Sequence, residues 1–238
     1  MHRSLAPILC LIFAACAAAL PASQPQKIVV YGGTGNIGQR IVREALARGD
    51  EVTVVVRDPS PMGATDPRLR VLRGDVLDSA QVARTVAGAD VVICAVSFRK
   101  PAPNFAGYRE AAVSLIDALR SLGPRAPRLI VVGGAGSLVD ASGKPVAARI
   151  PAAYRGEIDG QKEALDYYRT VKDVAWTYFS PAFSIYPGKR TGKFRLGHDR
   201  LITDAKGQSR ISMEDYAVAV MNEAEHPKHI RQRFTIGY

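Results

Sequence analysis

The sequence predicts an α/β domain with a doubly wound parallel sheet that is covered by helices on both faces. Three observations support this class. Short runs rich in Val and Ile alternate with segments of helical periodicity. These runs are apolar at successive positions, which is typical of strands buried on both faces. A glycine-rich turn joins the first run to the first helix. The alternation extends over residues 24–238 without an internal repeat, so a single domain is expected.

The strands and helices follow in order along the chain. The first helix places apolar residues on one face from Ile37 to Leu46 and ends near Gly49. Strands are predicted at 27–31, 51–56, 69–72, 89–95, 129–132, 175–179 and 234–238, and further helices at 79–86, 105–122, 157–172 and 213–225. Residues 188–209, rich in Gly, Lys and Arg, interrupt the alternation. This break predicts a small irregular region toward the C-terminus, which we expect to form an irregular hairpin beside the substrate site.

The composition excludes several classes of protein. The chain has 238 residues, a net charge of +10, 47% hydrophobic residues and 23% charged residues. This composition is typical of a globular domain and argues against a fibre, a disordered chain or a polytopic membrane protein. The basic residues are scattered and accompany no nucleic-acid-binding motif, so the charge is expected to attract an anionic cofactor and substrate instead. His198, His226 and His229 lack ligand spacing, so we expect surface histidines and no metal.

Residues 1–23 predict a secretory signal peptide. A basic start precedes an apolar run from Leu5 to Leu20, followed by small residues. The run is shorter than the roughly 20 residues of a spanning helix. Cys16 follows Phe13-Ala14-Ala15 and could instead be the acylated residue of a lipoprotein, which would anchor the chain to a membrane. A start codon further downstream would leave the protein in the cytoplasm. Beyond this leader, the remaining cysteine is Cys94, so no internal disulfide is expected.

The sharpest motif is a glycine-rich loop directly after the first strand. It reads Gly32, Gly33, Thr34, Gly35, Asn36, Ile37 and Gly38. Glycines there let backbone N–H groups approach a pyrophosphate, and the helix N-terminus adds partial positive charge. The strand–turn–helix context favours a dinucleotide site over an ordinary tight turn.

Two further loops bear on the choice of dinucleotide. Arg57 follows the second strand, where NAD-binding proteins carry an acidic residue for the ribose 2′-hydroxyl. A guanidinium pairs with a 2′-phosphate instead, so NADPH is favoured over NADH, unless Arg57 is merely exposed and paired with Asp58. After the third strand, Asp75 and Val76 are expected to line the adenine pocket. Asp75 could alternatively cap the helix that begins near Ser79.

With these loops and Val131–Leu138, the chain resembles the atypical short-chain dehydrogenase/reductase superfamily. More narrowly, it is similar to the NAD(P)H-binding, NADH-flavin reductase family, related to biliverdin reductase B. The motifs that carry the resemblance are at 176–182, 190–197 and 211–219, and the likeness spans residues 27–238. It implies a Rossmann fold that binds NADP. It also implies cofactor contacts from the ends of later strands, at Ala95, Val96, Gly133, Gly134 and Pro181.

The chain departs from the carbonyl-reducing members at the catalytic positions. Their Ser is replaced by Gly133 or Gly134, and their Tyr four residues before a Lys would be Ile158 if that Lys is Lys162. Tyr154 lies two helical turns, about 12 Å, from Lys162. Two residues are therefore the catalytic candidates. Ser137 would hold a polar edge of the acceptor, and Lys162 would bind the nicotinamide ribose unless it is a solvated lysine on the helix face.

The resulting hypothesis is an NADPH-dependent reductase that transfers hydride to a flavin-like or quinone-like small molecule, its expected partner. Such acceptors need a positioned nicotinamide and a flat apolar platform rather than a protein acid. The platform candidates are Phe98, Phe183, Tyr186 and Phe194. Two alternatives stay open: a non-catalytic NADP(H)-binding or redox-sensing protein, and an isomerase or epimerase, which the missing Tyr disfavours.

Overall fold

The computed structural model describes residues 24–59, 66–99 and 103–238. The predicted leader, including Cys16, lies outside the described residues. Within those ranges, no helix combines the length and the apolar character that a membrane span requires.

The strands and helices confirm the predicted fold class. The strands are β1 (Lys27–Tyr31), β2 (Glu51–Val56), β3 (Leu69–Arg73), β4 (Val91–Cys94), β5 (Arg128–Val132), β6 (Trp176–Ser180), β7 (Ser184–Tyr186), β8 (Arg195–Gly197), β9 (Arg210–Ser212) and β10 (Gln232–Gly237). The helices are α1 (Asn36–Arg48), α2 (Ser79–Val86), α3 (Gly107–Leu122), α4 (Arg155–Thr170) and α5 (Met213–Glu225). Each of the seven predicted strands and five predicted helices is present; β1, β2, α2 and α5 have the predicted bounds, and the ends of the others are shifted by a few residues.

The main sheet has the strand order β3-β2-β1-β4-β5-β6-β10-β8. Its strands pair in parallel except for β8, which is antiparallel to β10. The chain moves outward from β1 to β3 and then returns to β4 on the other side of β1. The carboxyl ends of β1 and β4 therefore flank the switch point where such sheets bind ligands.

Two helical layers bury the sheet. On one face, α1 and α5 pack with side chains such as Ile41, Phe179 and Tyr216. On the other face, α2, α3 and α4 cover side chains such as Leu115 and Trp176. Because the central strands β1, β2, β4 and β5 are covered on both sides, their sequences are largely apolar, which is why these strands could be recognised from sequence.

The expectation of a hairpin at 188–209 is wrong. The segment extends across the molecule instead: β8 pairs with β10 at the sheet edge. The carbonyl of Asp199 accepts from the N–H of Val139 at 3.0 Å, and the N–H of Leu201 donates to the Val139 carbonyl at 2.8 Å. Residues distant in sequence thus satisfy the backbone of this segment, which places it against the loop after β5.

Candidate cofactor and active site

The glycine loop after β1 is shaped by close backbone contacts. Gly32 has a φ of +81°, and a Cβ there would lie 2.5 Å from the Ala95 carbonyl oxygen. A Cβ on Gly38 would lie 2.1 Å from the Gly32 carbonyl oxygen. Both positions exclude a side chain, so the loop turns tightly beneath the first turn of α1.

The N-terminus of α1 is open to an anion. Its N-cap is Gly35, and within the described chain no side chain caps it and no acidic residue occupies its first turn. Thr34, Gly35 and Asn36 are exposed, whereas Ile37 is half-buried and anchors the helix. Uncapped N–H groups at a helix N-terminus suit a pyrophosphate, so this cradle and the buried Gly33 behind it fit a dinucleotide.

Arg57 and Asp75 lie on the same edge of the sheet, after β2 and β3. Arg57 is exposed, as a contact with a 2′-phosphate requires. The alternative role of Asp75 as a helix cap is wrong, because Asp78 caps α2 by accepting from the Gln81 N–H at 2.9 Å. Asp75 instead accepts from the Leu77 N–H at 3.0 Å, which orders the loop beside the buried Val76.

The ends of β4, β5 and β6 continue this edge. Ala95 and Val96 are half-buried directly after β4, and Pro181 is buried directly after β6. After β5, a Cβ on Gly133 would lie 2.0 Å from the Tyr178 ring, and one on Gly134 would lie 1.7 Å from Gln161 Oε1. Glycine at these two positions lets α4 and β6 approach the loop closely.

Ser137 is held by a residue that the sequence did not single out. Its hydroxyl accepts a hydrogen bond from Arg233 Nη1 at 3.1 Å. The Arg233 side chain is 4% exposed, and its Nε donates to Asp199 Oδ1 at 2.7 Å. Because these partners lie 96 and 34 residues away in the chain, no local pattern could have revealed them.

Lys162 lies on the outer face of α4. Its side chain is 60% exposed, and Nζ contacts Asp166 Oδ2 at 2.5 Å, one turn further along the helix. This is the solvated arrangement that the sequence left open. A contact with the nicotinamide ribose stays a prediction.

A buried polar cluster joins the β4 loop to α4 and was also missed. Glu157, 8% exposed, accepts from Arg99 Nε at 2.6 Å and from the Tyr108 hydroxyl at 3.1 Å. The amide of Gln161 lies 3.4 Å from the same carboxylate. Burial, together with the negative charge of Glu157, raises the pKa of Tyr108. Burial also raises the pKa of Tyr178.

These pKa shifts bear directly on the missing proton donor. The catalytic Tyr of carbonyl-reducing enzymes works because its pKa is lowered. Tyr108 and Tyr178 are shifted in the opposite direction, so neither phenol replaces it. Tyr154 is 50% exposed and immediately precedes α4, eight residues before Lys162.

The four platform candidates occupy different environments. Phe98 packs edge-to-face on Tyr108, with ring centroids 5.1 Å apart. Tyr186 is half-buried in β7, and Phe194 packs against the core on the α1 and α5 side. Phe183 is the exposed candidate, at 43%.

His198 and His226 are exposed, as expected, whereas His229 has a structural role. His229 stacks on Phe234, with centroids 4.1 Å apart, and its Nδ1 lies 2.8 Å from Glu223 Oε2. With its side chain 12% exposed, His229 is not the surface residue that was expected. In the part of the chain that the structure describes, no group of three or more His, Cys, Asp or Glu side chains is placed to hold a metal.

Comparison with known protein families shows which family the chain belongs to. The family described as NAD(P)H-binding matches residues 32–227, a range that includes the glycine cradle, the loops after β2 to β6 and α5. The chain belongs to this NAD(P)H-binding family. A relative, the uncharacterised protein YwnB of Bacillus subtilis, is 36% identical to this chain over 215 residues, which is 88% of this chain and 97% of YwnB.

Solved structures of similar proteins have the same fold. A proposed epimerase of Bacteroides thetaiotaomicron is 38% identical with a TM-score of 0.81, covering 90% of this chain and 98% of its own. A proposed exported protein of Burkholderia pseudomallei is 39% identical with a TM-score of 0.79, covering 90% and 100%. A proposed NADH-flavin reductase of Streptococcus pneumoniae is 28% identical with a TM-score of 0.77, covering 89% and 99%.

Proposed function

We propose that the protein is an NADPH-dependent reductase that transfers hydride directly to a flavin-like or quinone-like acceptor. The observation that carries the proposal is the pairing of a nucleotide cradle with two tyrosines, Tyr108 and Tyr178, that are buried and whose hydroxyls donate to Glu157 and to the Gln161 carbonyl. A site of this kind can position a nicotinamide but offers no activated phenol. The Streptococcus pneumoniae structure, described as an NADH-flavin reductase, supports the same class of acceptor.

Separate loops at the carboxyl edge of the sheet would bind the cofactor and the acceptor. The loop from Gly32 to Gly38 and the N-terminus of α1 would hold the pyrophosphate, and Arg57 the 2′-phosphate. When bound, NADPH supplies the hydride. The loop from Gly133 to Ser137 would hold a polar edge of the acceptor, with Arg233 orienting the Ser137 hydroxyl. A flavin or quinone can collect the accompanying proton from water, so no protein acid is needed.

A second candidate is an NADP(H)-binding protein without turnover. It is favoured by the exposed ion pair of Lys162, which leaves the candidate for the catalytic lysine of carbonyl-reducing enzymes facing solvent. It also agrees with export, which the predicted leader and the similarity to a proposed exported protein of Burkholderia pseudomallei support. Because free NADPH is not expected to be abundant outside the cytoplasm, an exported protein would have little NADPH to oxidise.

The test is NADPH oxidation by the purified protein with FMN, a quinone and a small aldehyde as separate acceptors, and with NADH as the comparison cofactor. We expect turnover with FMN or the quinone and little with the aldehyde, whose alkoxide product requires a proton donor. NADPH binding without turnover of any acceptor would favour the second candidate. Faster reduction of the aldehyde than of FMN and the quinone would contradict the proposed function.

A further inference from the structure

Two exposed aromatic rings lie at the carboxyl edge of the sheet. In the described ranges, the large apolar side chains that are more than a third exposed are Leu77, Tyr154, Phe183 and Leu196. Phe183 follows β6, and Tyr154 precedes α4. Each has an arginine nearby: Arg149 Cζ lies 5.8 Å from the Phe183 ring centroid, and Arg99 Cζ lies 5.9 Å from that of Tyr154.

The two arginines differ in their electrostatic partners. Arg99 is neutralised by the buried carboxylate of Glu157. Arg149 is exposed, and no carboxylate of the described residues lies within ion-pair distance of its guanidinium. The pKa of Asp140 is lowered mainly by the hydrogen bond from the Ser142 hydroxyl. The positive charge of Arg149 makes only a small contribution to this shift. Positive charge therefore remains available beside the Phe183 ring.

The backbone around both residues is well anchored. Arg149 ends a short 3-10 turn, Val146–Arg149. Its first residue, Val146, is fully buried and packs in one cluster with Leu138 and Leu201. The N–H of Val146 donates to the Leu138 carbonyl at 2.9 Å, so this turn is attached to the loop that carries Ser137. The N–H of Phe183 donates to Ser209 Oγ at 3.1 Å. The backbone segments that carry the Phe183 ring and the Arg149 side chain are thus held in place.

We propose that Phe183 and Arg149 form a subsite that selects acceptors with an anionic group on a planar ring system. The ring would stack on Phe183, and a phosphate or carboxylate would bind the Arg149 guanidinium. The inference rests on the proposed function, because it assigns these residues to the acceptor of that reaction. It explains why an apolar ring and an unpaired cation are left exposed side by side next to the Ser137 loop.

Two flavins that differ by one phosphate test the subsite. FMN and riboflavin have the same isoalloxazine ring, and FMN alone carries a phosphate. Saturation kinetics with NADPH should show that Arg149→Gln raises the KM for FMN about tenfold, with the riboflavin KM changed less than about twofold. Phe183→Leu should raise both KM values. Arg125→Gln removes an equivalent exposed charge between α3 and β5, at the opposite edge of the sheet, and should change neither value.

Binding measurements separate this inference from the proposed function. If the protein does not turn over, quenching of flavin fluorescence should still show tighter binding of FMN than of riboflavin, with the difference lost in Arg149→Gln. That result would support the subsite while contradicting the reductase. Equal effects of Arg149→Gln on the two flavins, no effect on either, or a wild-type protein that binds neither flavin would overturn the subsite.

Discussion

Arg57 is the residue on which cofactor choice is expected to depend. Its exposed guanidinium follows β2 with Asp58 beside it in the chain. Arg57→Glu places a negative charge where a 2′-phosphate would lie, so we expect the KM for NADPH to rise at least about tenfold while that for NADH changes much less. Steady-state kinetics with both cofactors measures this difference. Arg70→Glu, an exposed reversal on the neighbouring β3, is the matched control. Equal losses for both cofactors would refute the 2′-phosphate assignment.

Replacing Lys162 tests whether this residue takes part in the chemical step. Because its ammonium is exposed and paired with Asp166, we expect Lys162→Ala to lower kcat/KM by less than about a hundredfold. Asp166 keeps a second partner in Arg169, at 3.2 Å, and exposed pairs contribute little to stability, so the Tm should barely change. A much larger loss of turnover with an unchanged Tm would return Lys162 to the catalytic centre.

At the scale of elements, the first turn of α5 anchors the C-terminal region. Asp215 is fully buried and accepts from the N–H groups of Thr191 and Gly192 at 2.7 and 2.8 Å. It also accepts from the hydroxyls of Thr191 and Tyr238 at 2.6 and 2.7 Å. One carboxylate therefore joins α5, the segment after β7 and the last residue of the chain.

This anchor predicts acid sensitivity. Burial pushes the pKa of Asp215 upward, but the Thr191 hydroxyl and the surrounding donors outweigh it and hold the pKa below its ordinary value. Hydrogen bonding by Arg190 likewise lowers the pKa of Glu44, which links the same segment to α1. A lowered folded-state pKa gives stability that is complete above the unfolded-state value, about 4, and is lost as the pH falls through the folded-state value.

We therefore expect Asp215→Asn to lower the free energy of unfolding by about 1–3 kcal/mol at pH 7 and to weaken its dependence on pH below about 5. Urea denaturation between pH 3 and pH 7 measures both effects. Asp166→Asn, at a half-buried position with only helix-face partners, is the control. An unchanged acid dependence in Asp215→Asn would show that this carboxylate does not carry the effect.

At the scale of the whole molecule, Cys94 reports on global opening. It lies in β4, between β1 and β5, with 4% of its surface exposed, and burial raises the pKa of its thiol to about 11. The thiolate is the reactive form, so alkylation of the folded protein should be slow. Because a bound ligand stabilises the folded state, saturating NADPH should slow labelling further.

Mass spectrometry of the peptide that contains residue 94, after timed exposure to iodoacetamide with and without NADPH, checks this expectation. The peptide from a Cys94→Ser variant provides the unlabelled control. Labelling at the rate of a free thiol, or a rate that NADPH does not alter at saturation, would contradict it.

The amino-acid sequence by itself determined the strands, the helices and the nucleotide cradle. Strands buried on both faces must be apolar throughout, and helices must repeat their apolar residues every three or four positions, so both leave local patterns. The cradle is also local, because Gly32 to Gly38 are contiguous and form the turn after β1 and the first residues of α1. The three-residue strands β7, β8 and β9 are too short to show periodicity, and they were missed.

Only the tertiary structure decided how the carboxyl edge of the sheet is completed. Arg233 reaches Ser137, Arg99 and Tyr108 reach Glu157, and Arg149 reaches the ring of Phe183, each across at least 34 residues of chain. Residues 188–209 cross the molecule for the same reason, since their backbone partners lie on β10 and beside Val139. Such contacts depend on which strand ends meet at one edge of the sheet, and that information is not present in any local stretch of sequence.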